Sequence, residues 1–367
     1  MVWQTVEVRV SNIRLLTQPG AGVGALIEAI DNAAEVVKIV IFRFDRGDIE
    51  MALKRAARRG VYVHALVAHT TTGQGGERML RKLEMSLLAD GITVTRTATD
   101  LVRYHDKLLL IDNRLLFMLG FNFTYLDTER SRSFGIVSDD QALVREADRL
   151  IQADATRQTY TPETNMLVVS PGNSRKLLLE LLSSAEKQLL IYDGKLTDPD
   201  AMRVIAAKVR SGVDVRVLGA MGRRASGVSV ARLHMRLHAQ AIVRDGEQLF
   251  LGSQSLRTLE LDARREVGIL ITDANVAAQI AATFEADWAK STGSSLVLPA
   301  LPPEIDLQLE MEPREISPAI TAQLIKSAVK EAIKDAVIGT LQQSGDVIPL
   351  KSAVRDAAKE ALTELAL

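Results

Sequence analysis

Residues 104–122 read YHDKLLLIDNRLLFMLGFN, a stretch in which two apolar runs flank a polar break. LLLI and LLFML have strand length, and Asp112-Asn113-Arg114 between them is rich in turn formers, so two strands joined by a tight turn are predicted. His105 and Lys107 are two residues apart and on a strand project from one face. With Asp112 and Asn113 as the tip, His105 falls opposite Gly120. A second stretch, residues 237–255, LHAQAIVRDGEQLFLGSQS, repeats the plan with His238, Gln240, Asp245, Gly252, Ser253 and Ser255. Its break is Asp245-Gly246, a strong two-residue hairpin signal that sets His238 opposite Ser253. Each hairpin offers an imidazole, a residue two positions on, and a small or hydroxyl residue on one patch, which is half a site.

The sequence around the hairpins is duplicated as well. Residues 25–42 (ALIEAIDNAAEVVKIVIF) are echoed by 176–193 (KLLLELLSSAEKQLLIYD), each reading as an amphipathic helix followed by a buried strand. Residues 49–67 are echoed by 201–219, with Gly60 and Gly212 where a glycine ends a helix before a β-branched strand. Beyond the hairpins SFGIVSDD (133–140) answers EVGILITD (266–273), and the step from Asn122 to Ser133 equals that from Ser255 to Glu266. A tandem duplication follows: repeat one (1–157), repeat two (158–292), a Pro-, Leu- and Glu-rich linker (293–316) and a helical tail (317–367). Ser317-Pro318 supplies a helix cap and first turn, after which 319–341 and 351–367 carry apolar residues at helical spacing. The expected fold class is α/β, with a mixed β-sheet flanked by helices in each repeat.

The 367 residues suffice for two domain-sized units, and 47% hydrophobic with 25% charged residues is ordinary for a soluble globular chain. A net charge of −1 gives no global pull toward nucleic acid or an anionic membrane. The chain has no cysteine, which excludes disulfides, thiolate nucleophiles and thiolate metal sites. No apolar run has the length of a bilayer span and the amino terminus lacks a signal-peptide pattern, so a cytoplasmic location is expected.

His105-Lys107-Asp112 with Asn122, and His238-Gln240-Asp245 with Ser255, resemble the two histidine motifs of the phospholipase D superfamily, over about the first 290 residues. The resemblance implies two sheets related by a pseudo-twofold axis, each hairpin supplying one histidine to a shared cleft. It implies that one histidine attacks the phosphorus of a phosphodiester to give a covalent phosphohistidine. The other protonates the leaving alcohol, then activates water or a second alcohol. Imidazoles suit both tasks near neutral pH. Lys107, Asn122, Gln240, Ser253 and Ser255 are the implied phosphate-binding residues, their donors serving the equatorial oxygens. No metal or other cofactor is implied.

The chain departs from that family where Gln240 replaces the lysine, Ser255 the asparagine, and Leu119-Gly120 the usual Gly-Ser. One clamp cation is missing, and charge-assisted hydrogen bonds are roughly twice as strong as neutral ones. Arg103 and Arg236, each two residues before a histidine, are expected to restore some charge. Glu266 is expected to steady His238, its counterpart in repeat one being Ser133. On this reading His105 is the nucleophile and His238 the general acid and then base, with the reverse order open on the same residues. Asp112 and Asp245 read equally as site residues and as turn formers. Arg264 and Arg265 read as solvated, His64 and His69 as core or rim, and His234 as near the site mouth.

Such clefts serve phospholipids, in phospholipase D or cardiolipin-synthase-like phosphatidyltransferase chemistry, or nucleic acid, in sequence-independent nucleases. Near-neutral charge and two repeats in one chain favour the lipid branch. Peripheral membrane contact and homo-oligomerisation through the tail helices are the expected associations. Gln240 and Ser255 keep a third reading open, a catalytically weakened phosphodiester-binding protein.

Overall fold

The computed structural model describes residues 13–69, 73–222 and 227–293. Repeat one runs β1 (Ile13–Gln18), α1 (Gly24–Asp31), β2 (Val36–Ile41), α2 (Gly47–Arg58), β3 (Tyr62–Val67), α3 (Gly73–Ala89), β4 (Thr93–Arg96), β5 (Arg103–Tyr104), β6 (Leu108–Ile111), β7 (Leu115–Leu119), α4 (Tyr125–Glu129), β8 (Ser131–Ser138) and α5 (Gln141–Thr156). Repeat two runs β9 (Leu167–Ser170), α6 (Ser174–Ser183), β10 (Gln188–Leu196), α7 (Pro199–Arg210), β11 (Asp214–Met221), β12 (Ser229–Ala231), β13 (Arg236–Leu237), β14 (Gln240–Arg244), β15 (Gln248–Gly252), α8 (Thr258–Asp262), β16 (Arg264–Thr272) and α9 (Ala274–Gly293). Residues 73–82 are the described part of a second compact unit, and the other described residues form the first. The expected linker beyond Gly293 and the tail helices lie outside the described residues.

The α/β duplication is present, with one large difference. Among the described residues α3 has no counterpart between β11 and β12. Its presence in repeat one accounts for the fall in repeat offset from 151 residues (Ala25 to Lys176) to 133 (His105 to His238). Each repeat forms one mixed sheet, ordered β1-β8-β7-β6-β2-β3-β4 and β12-β11-β10-β14-β15-β16. β2 reads VVKIVI and is buried at every position, as a strand inside a sheet covered on both faces requires. Helix α2 buries Ile49, Ala52, Leu53 and Ala56, the stripe its sequence spacing dictates. Gly60 ends it at φ +89°, with Val61 N–H donating to the Ala56 carbonyl and Gly60 N–H to that of Ala57. Gly212 closes α7 in the same way at φ +91°.

A continuous core joins the inner faces of both sheets through α5 and α9, with Met118 and Phe134 of repeat one, Tyr192 and Leu251 of repeat two, and Leu150 and Phe284 of the two helices among its members. The repeats also exchange strands. β5 of repeat one pairs in parallel with β16 of repeat two, and β13 of repeat two with β8 of repeat one. The exchange continues one residue further on each side: His105 N–H donates to the Arg265 carbonyl at 2.8 Å and His238 N–H to the Arg132 carbonyl at 2.9 Å. At the junction of the hairpins Gly120 leaves no room for a side chain, since a Cβ there would lie 2.9 Å from the Phe134 carbonyl oxygen and 3.2 Å from that of Gly252.

Both hairpins turn over three residues, one more than their sequences suggested. Ile111 pairs with Leu115 and Arg244 with Gln248, which shifts each register by one and removes the expected pairings of His105 with Gly120 and of His238 with Ser253. The cause is Asp112 and Asp245, held in the left-handed region at φ +49° and +53°. The Asp112 carboxylate accepts the N–H groups of Ala34, Glu35 and Val36 at 2.8–2.9 Å, and Asp245 those of Glu186, Lys187 and Gln188 at 2.7–3.0 Å. Each aspartate thereby ties its hairpin tip to the start of the adjacent strand.

Candidate active site

The strand exchange decides which residues meet. His105 follows β5, and because β5 lies on β16 its ring lands on Glu266, with Nδ1 2.9 Å from Oε2 of that fully buried carboxyl group. Lys107 Nζ stands 3.0 Å from both ring nitrogens, and the Phe42 ring meets the imidazole edge-on with centroids 4.5 Å apart. His238 follows β13 and rests on repeat one, its Nε2 3.1 Å from Asp127 Oδ2 and 3.3 Å from Asn122 Nδ2. Thr124 caps α4 by accepting from Asp127 N–H at 3.3 Å, which turns the aspartate back over the strand exit. Asp127 Oδ2 then accepts from Asn122 N–H and Nδ2 at 2.9 and 2.8 Å, and Oδ1 from Arg236 Nη1 at 2.6 Å.

Burial sets the charges. Desolvation, reinforced by Lys107, Arg103 and Arg264, holds His105 well below the usual imidazole range and hence neutral at pH 7. Desolvation pushes Glu266 up to about 8. Below about pH 8 the carboxyl group therefore holds its proton and donates to Nδ1, and once it ionises it accepts the Nδ1 proton instead. Burial also lowers Lys107, to about 8, against the pull of Glu266 and Asp127. Desolvation lowers His238 too, and Asp127 opposes it. Although burial works to raise Asp127, His238 and Arg236 hold it below the usual carboxylate range. One imidazole thus faces a carboxyl group that gives up its proton reluctantly, the other a permanent carboxylate.

Several sequence expectations are redirected. Glu266 holds His105 and not His238, because β5 rather than β13 is the strand laid against β16. Ser133 is buried with no hydrogen-bond partner for its hydroxyl, and Asp127 supplies the carboxylate for His238 instead. Asp112 and Asp245 stand at the far ends of their hairpins and serve the turns described above. Ser253 Oγ donates to the Val267 carbonyl at 3.3 Å and accepts its N–H at 3.1 Å. Ser255 Oγ donates to Asp193, and Ser255 N–H to Glu260 at 2.7 Å. Gln240 opens β14 and is partly buried. Lys107 and Asn122 thus stand against the imidazoles, whereas the Ser253 and Ser255 hydroxyls bond Val267 and Asp193.

Arg236 bonds Asp127 and Ser131 (2.7 Å), so its charge is already matched within the site. Arg264 and Arg265 are buried rather than solvated: Arg265 grips Asp154 through two bonds of 3.0 and 2.9 Å, and Arg264 meets Glu260 at 3.3 Å. His64 is a satisfied core residue, 2.8 Å from Thr95 Oγ1, and His69 and His234 are exposed. Asp127 went unread in the sequence, although comparing the repeats points to it. It follows Asn122 by the same step of five as Glu260 follows Ser255, and each carboxylate accepts the N–H of that earlier residue.

Residues 26–155 and 178–288 match the family model described as "Cardiolipin synthase, PLD-like domain". The structure is similar to polyphosphate kinase from Porphyromonas gingivalis, with TM-score 0.61 and 17% identity over 75% of this chain and 46% of that one, so the chain spans less than half of the kinase. It is also similar to phosphatidylserine synthase from Haemophilus influenzae Rd KW20, with TM-score 0.57 and 12% identity over 76% of this chain and 86% of that one. No curated protein matches the sequence. Among the described residues no helix is long and apolar enough to cross a membrane. Matched in both repeats, the chain belongs to the phospholipase D-like family of phosphodiesterases and phosphotransferases, and carries two of its units in one polypeptide.

Proposed function

We propose that the chain cleaves or transfers phospholipid head-group phosphodiesters through a phosphohistidine formed on His105. The observation that carries this reading is the Glu266 bond to Nδ1, which, with Glu266 ionised, leaves Nε2 as the nucleophilic nitrogen beside the Lys107 ammonium. His105 Nε2 attacks phosphorus and the N–P bond forms as the P–O bond to the head-group or lipid alcohol breaks, His238 giving that oxygen its proton. Lys107 and Asn122 donate to the non-bridging oxygens as charge builds there. His238 then takes a proton from water or an acceptor alcohol, whose oxygen attacks phosphorus and releases His105. Support for a lipid substrate comes from the near-neutral net charge of −1, from the family description, and from Tyr125 and Leu126, which expose apolar surface just before Asp127.

The test is intact-protein mass spectrometry after acid-quenched mixing with phosphatidylglycerol or phosphatidylcholine vesicles. A phosphatidyl adduct is expected on the parent and on His238→Ala, and none on His105→Ala. An adduct on His105→Ala would reverse the roles. No adduct on any protein, together with no head-group release, would reject the lipid substrate and make DNA the next one tried.

A further inference from the structure

We infer that Asp287 and Asp154 are positioning residues, each seating the cleft histidine of its own repeat through an arginine of the other. The inference rests on the phosphodiester reading above and names residues outside both histidine motifs. Asp287 stands on α9 and takes the Arg132 guanidinium on both carboxylate oxygens, Nε at 2.6 Å and Nη2 at 2.9 Å. Asp154 on α5 takes Arg265 in the same way, at 3.0 and 2.9 Å. The remaining bond of each arginine matches as well. Arg132 Nη1 donates to the carbonyl of Gln18, the last residue of β1, at 2.7 Å, and Arg265 Nη1 to that of Ser170, the last residue of β9, at 3.2 Å. Both aspartate side chains are only 1% exposed.

These two arginines are also the residues from which the histidines hang. The Arg132 carbonyl accepts the His238 N–H and the Arg265 carbonyl that of His105. The strands that deliver the histidines, β13 and β5, are two residues long, so their own ladders give little restraint. A planar guanidinium held on both oxygens of a buried carboxylate resists rotation as well as translation, and so fixes the acceptor carbonyl. Glu266 directly follows Arg265, and the same clamp therefore places the carboxyl group behind His105. Comparison of the repeats supports the assignment. The step of 133 residues from His105 to His238 also carries Arg132 to Arg265 and Asp154 to Asp287. Lys107 and Asn122 have changed between the repeats, to Gln240 and Ser255, but the clamp has not. Asp106, buried next to His105, adds a second carboxyl group that the Arg265 charge also stabilises, and its counterpart is Ala239. Asp287→Asn is therefore the cleaner test.

The experiment is backbone amide exchange, followed by NMR on the full chain isotopically labelled at histidine, in the parent, Asp287→Asn, Asp154→Asn and the charge-free pair Arg132→Met/Asp287→Asn. Only the ratio of the His238 and His105 rates is read, because global unfolding exposes both amides alike. In Asp287→Asn the His238 N–H is expected to exchange at least tenfold faster relative to that of His105, and in Asp154→Asn the reverse. A single unmatched buried charge can unfold a protein, so the charge-free pair is required to show the Asp287→Asn pattern. Turnover of bis(p-nitrophenyl) phosphate and of short-chain phosphatidylglycerol is measured alongside. Misplacing a reacting group by about 1 Å costs on the order of 100-fold. Asp287→Asn should slow the phosphatidylglycerol, whose alkoxide needs the His238 proton, at least tenfold more than the nitrophenyl ester, whereas Asp154→Asn should slow both. An exchange ratio within twofold of the parent in Asp287→Asn and in the charge-free pair would overturn the assignment, as would altered exchange with turnover unchanged. Shifted exchange in a chain whose parent turns over neither ester would uphold the seating and reject the phosphodiester reading.

Discussion

Glu266→Gln is expected to separate catalysis from stability. In the parent, Nδ1 of His105 and Oε2 of Glu266 are 2.9 Å apart in a fully buried setting. In its ionised form, which gains as pH rises toward about 8, the carboxylate accepts the ring proton at Nδ1, so that the Nε2 lone pair is available to phosphorus. A glutamine amide can instead present N–H to Nδ1, which favours the tautomer with its proton on Nε2 and no nucleophile there. A hydrogen bond to a charged group contributes about 1.5–3 kcal/mol, and about 1.4 kcal/mol corresponds to a decade in rate. Phosphohistidine formation should therefore slow by on the order of 10- to 150-fold, more where the wrong tautomer dominates. Stability moves the other way. Burial raises Glu266 from 4.5 to about 8, so the folded protein holds a proton that the unfolded chain releases above pH 4.5. That stabilisation is complete below pH 4.5 and is lost as pH rises through about 8, a loss from which glutamine is exempt. Rapid-quench single turnover at pH 8, where Glu266 ionises, and thermal unfolding at pH 6 and pH 8 read the two effects. A single-turnover rate within threefold of the parent, or a melting temperature below the parent's at pH 8, would refute the reasoning.

Asp127→Asn should slow turnover of esters with alkoxide leaving groups by on the order of 100-fold while sparing p-nitrophenolate esters, because His238 loses the carboxylate that supports its proton. A plot of rate against leaving-group pKa checks this, and an equal loss for both classes would count against it. Lys107, lowered to about 8, should impose an alkaline limb there as its ammonium discharges, and Lys107→Arg should move that limb above pH 10. The pH profile of kcat/KM is the measurement. Asp112→Ala and Asp245→Ala should each cost about 1–3 kcal/mol of stability through backbone N–H groups left without their acceptor, while kcat of the folded protein stays within twofold. Both carboxylates sit below their usual 3.8, so their contribution is present above that pH and lost as pH falls through it, flattening the acid limb of unfolding in the variants.

Much of the fold could be read in the chain because period and punctuation state it locally. The helix stripe of α2, the glycines at 60 and 212 and the apolar runs of the hairpins each follow from residues a few positions apart. The site was legible as a set of residue types but not as pairings. Whether Glu266 reaches His105 or His238 depends on which two-residue strand is laid on β16, and nothing in Arg103-Tyr104 or Arg236-Leu237 states that choice locally. The turn length was missed for a similar reason. A two-residue Asp-Gly tip is the local preference, and the three N–H groups that Asp245 accepts come from a segment nearly sixty residues away. Arg265 read as solvated because its partner Asp154 lies in repeat one and becomes a neighbour only once the repeats close, whereas the partner of Arg264, Glu260, stands only four residues before it.

The two halves of the cleft have diverged in a direction that the chemistry explains. A phosphohistidine cycle needs one imidazole with an open lone pair and one that carries a proton, so perfect symmetry serves neither step. Here the two carboxyl partners are pushed apart, Glu266 upward by desolvation and Asp127 downward by His238 and Arg236. Opposed environments of this kind separate acid from base roles in one site. A symmetric dimer of single repeats cannot make that distinction, because any substitution appears on both sides. A single chain can. Ser133 against Glu266, Lys107 against Gln240 and Asn122 against Ser255 are such differences between its repeats. They meet in a cleft in which repeat two supplies the carboxyl group behind His105, repeat one the carboxylate behind His238, and each histidine is positioned by the other repeat.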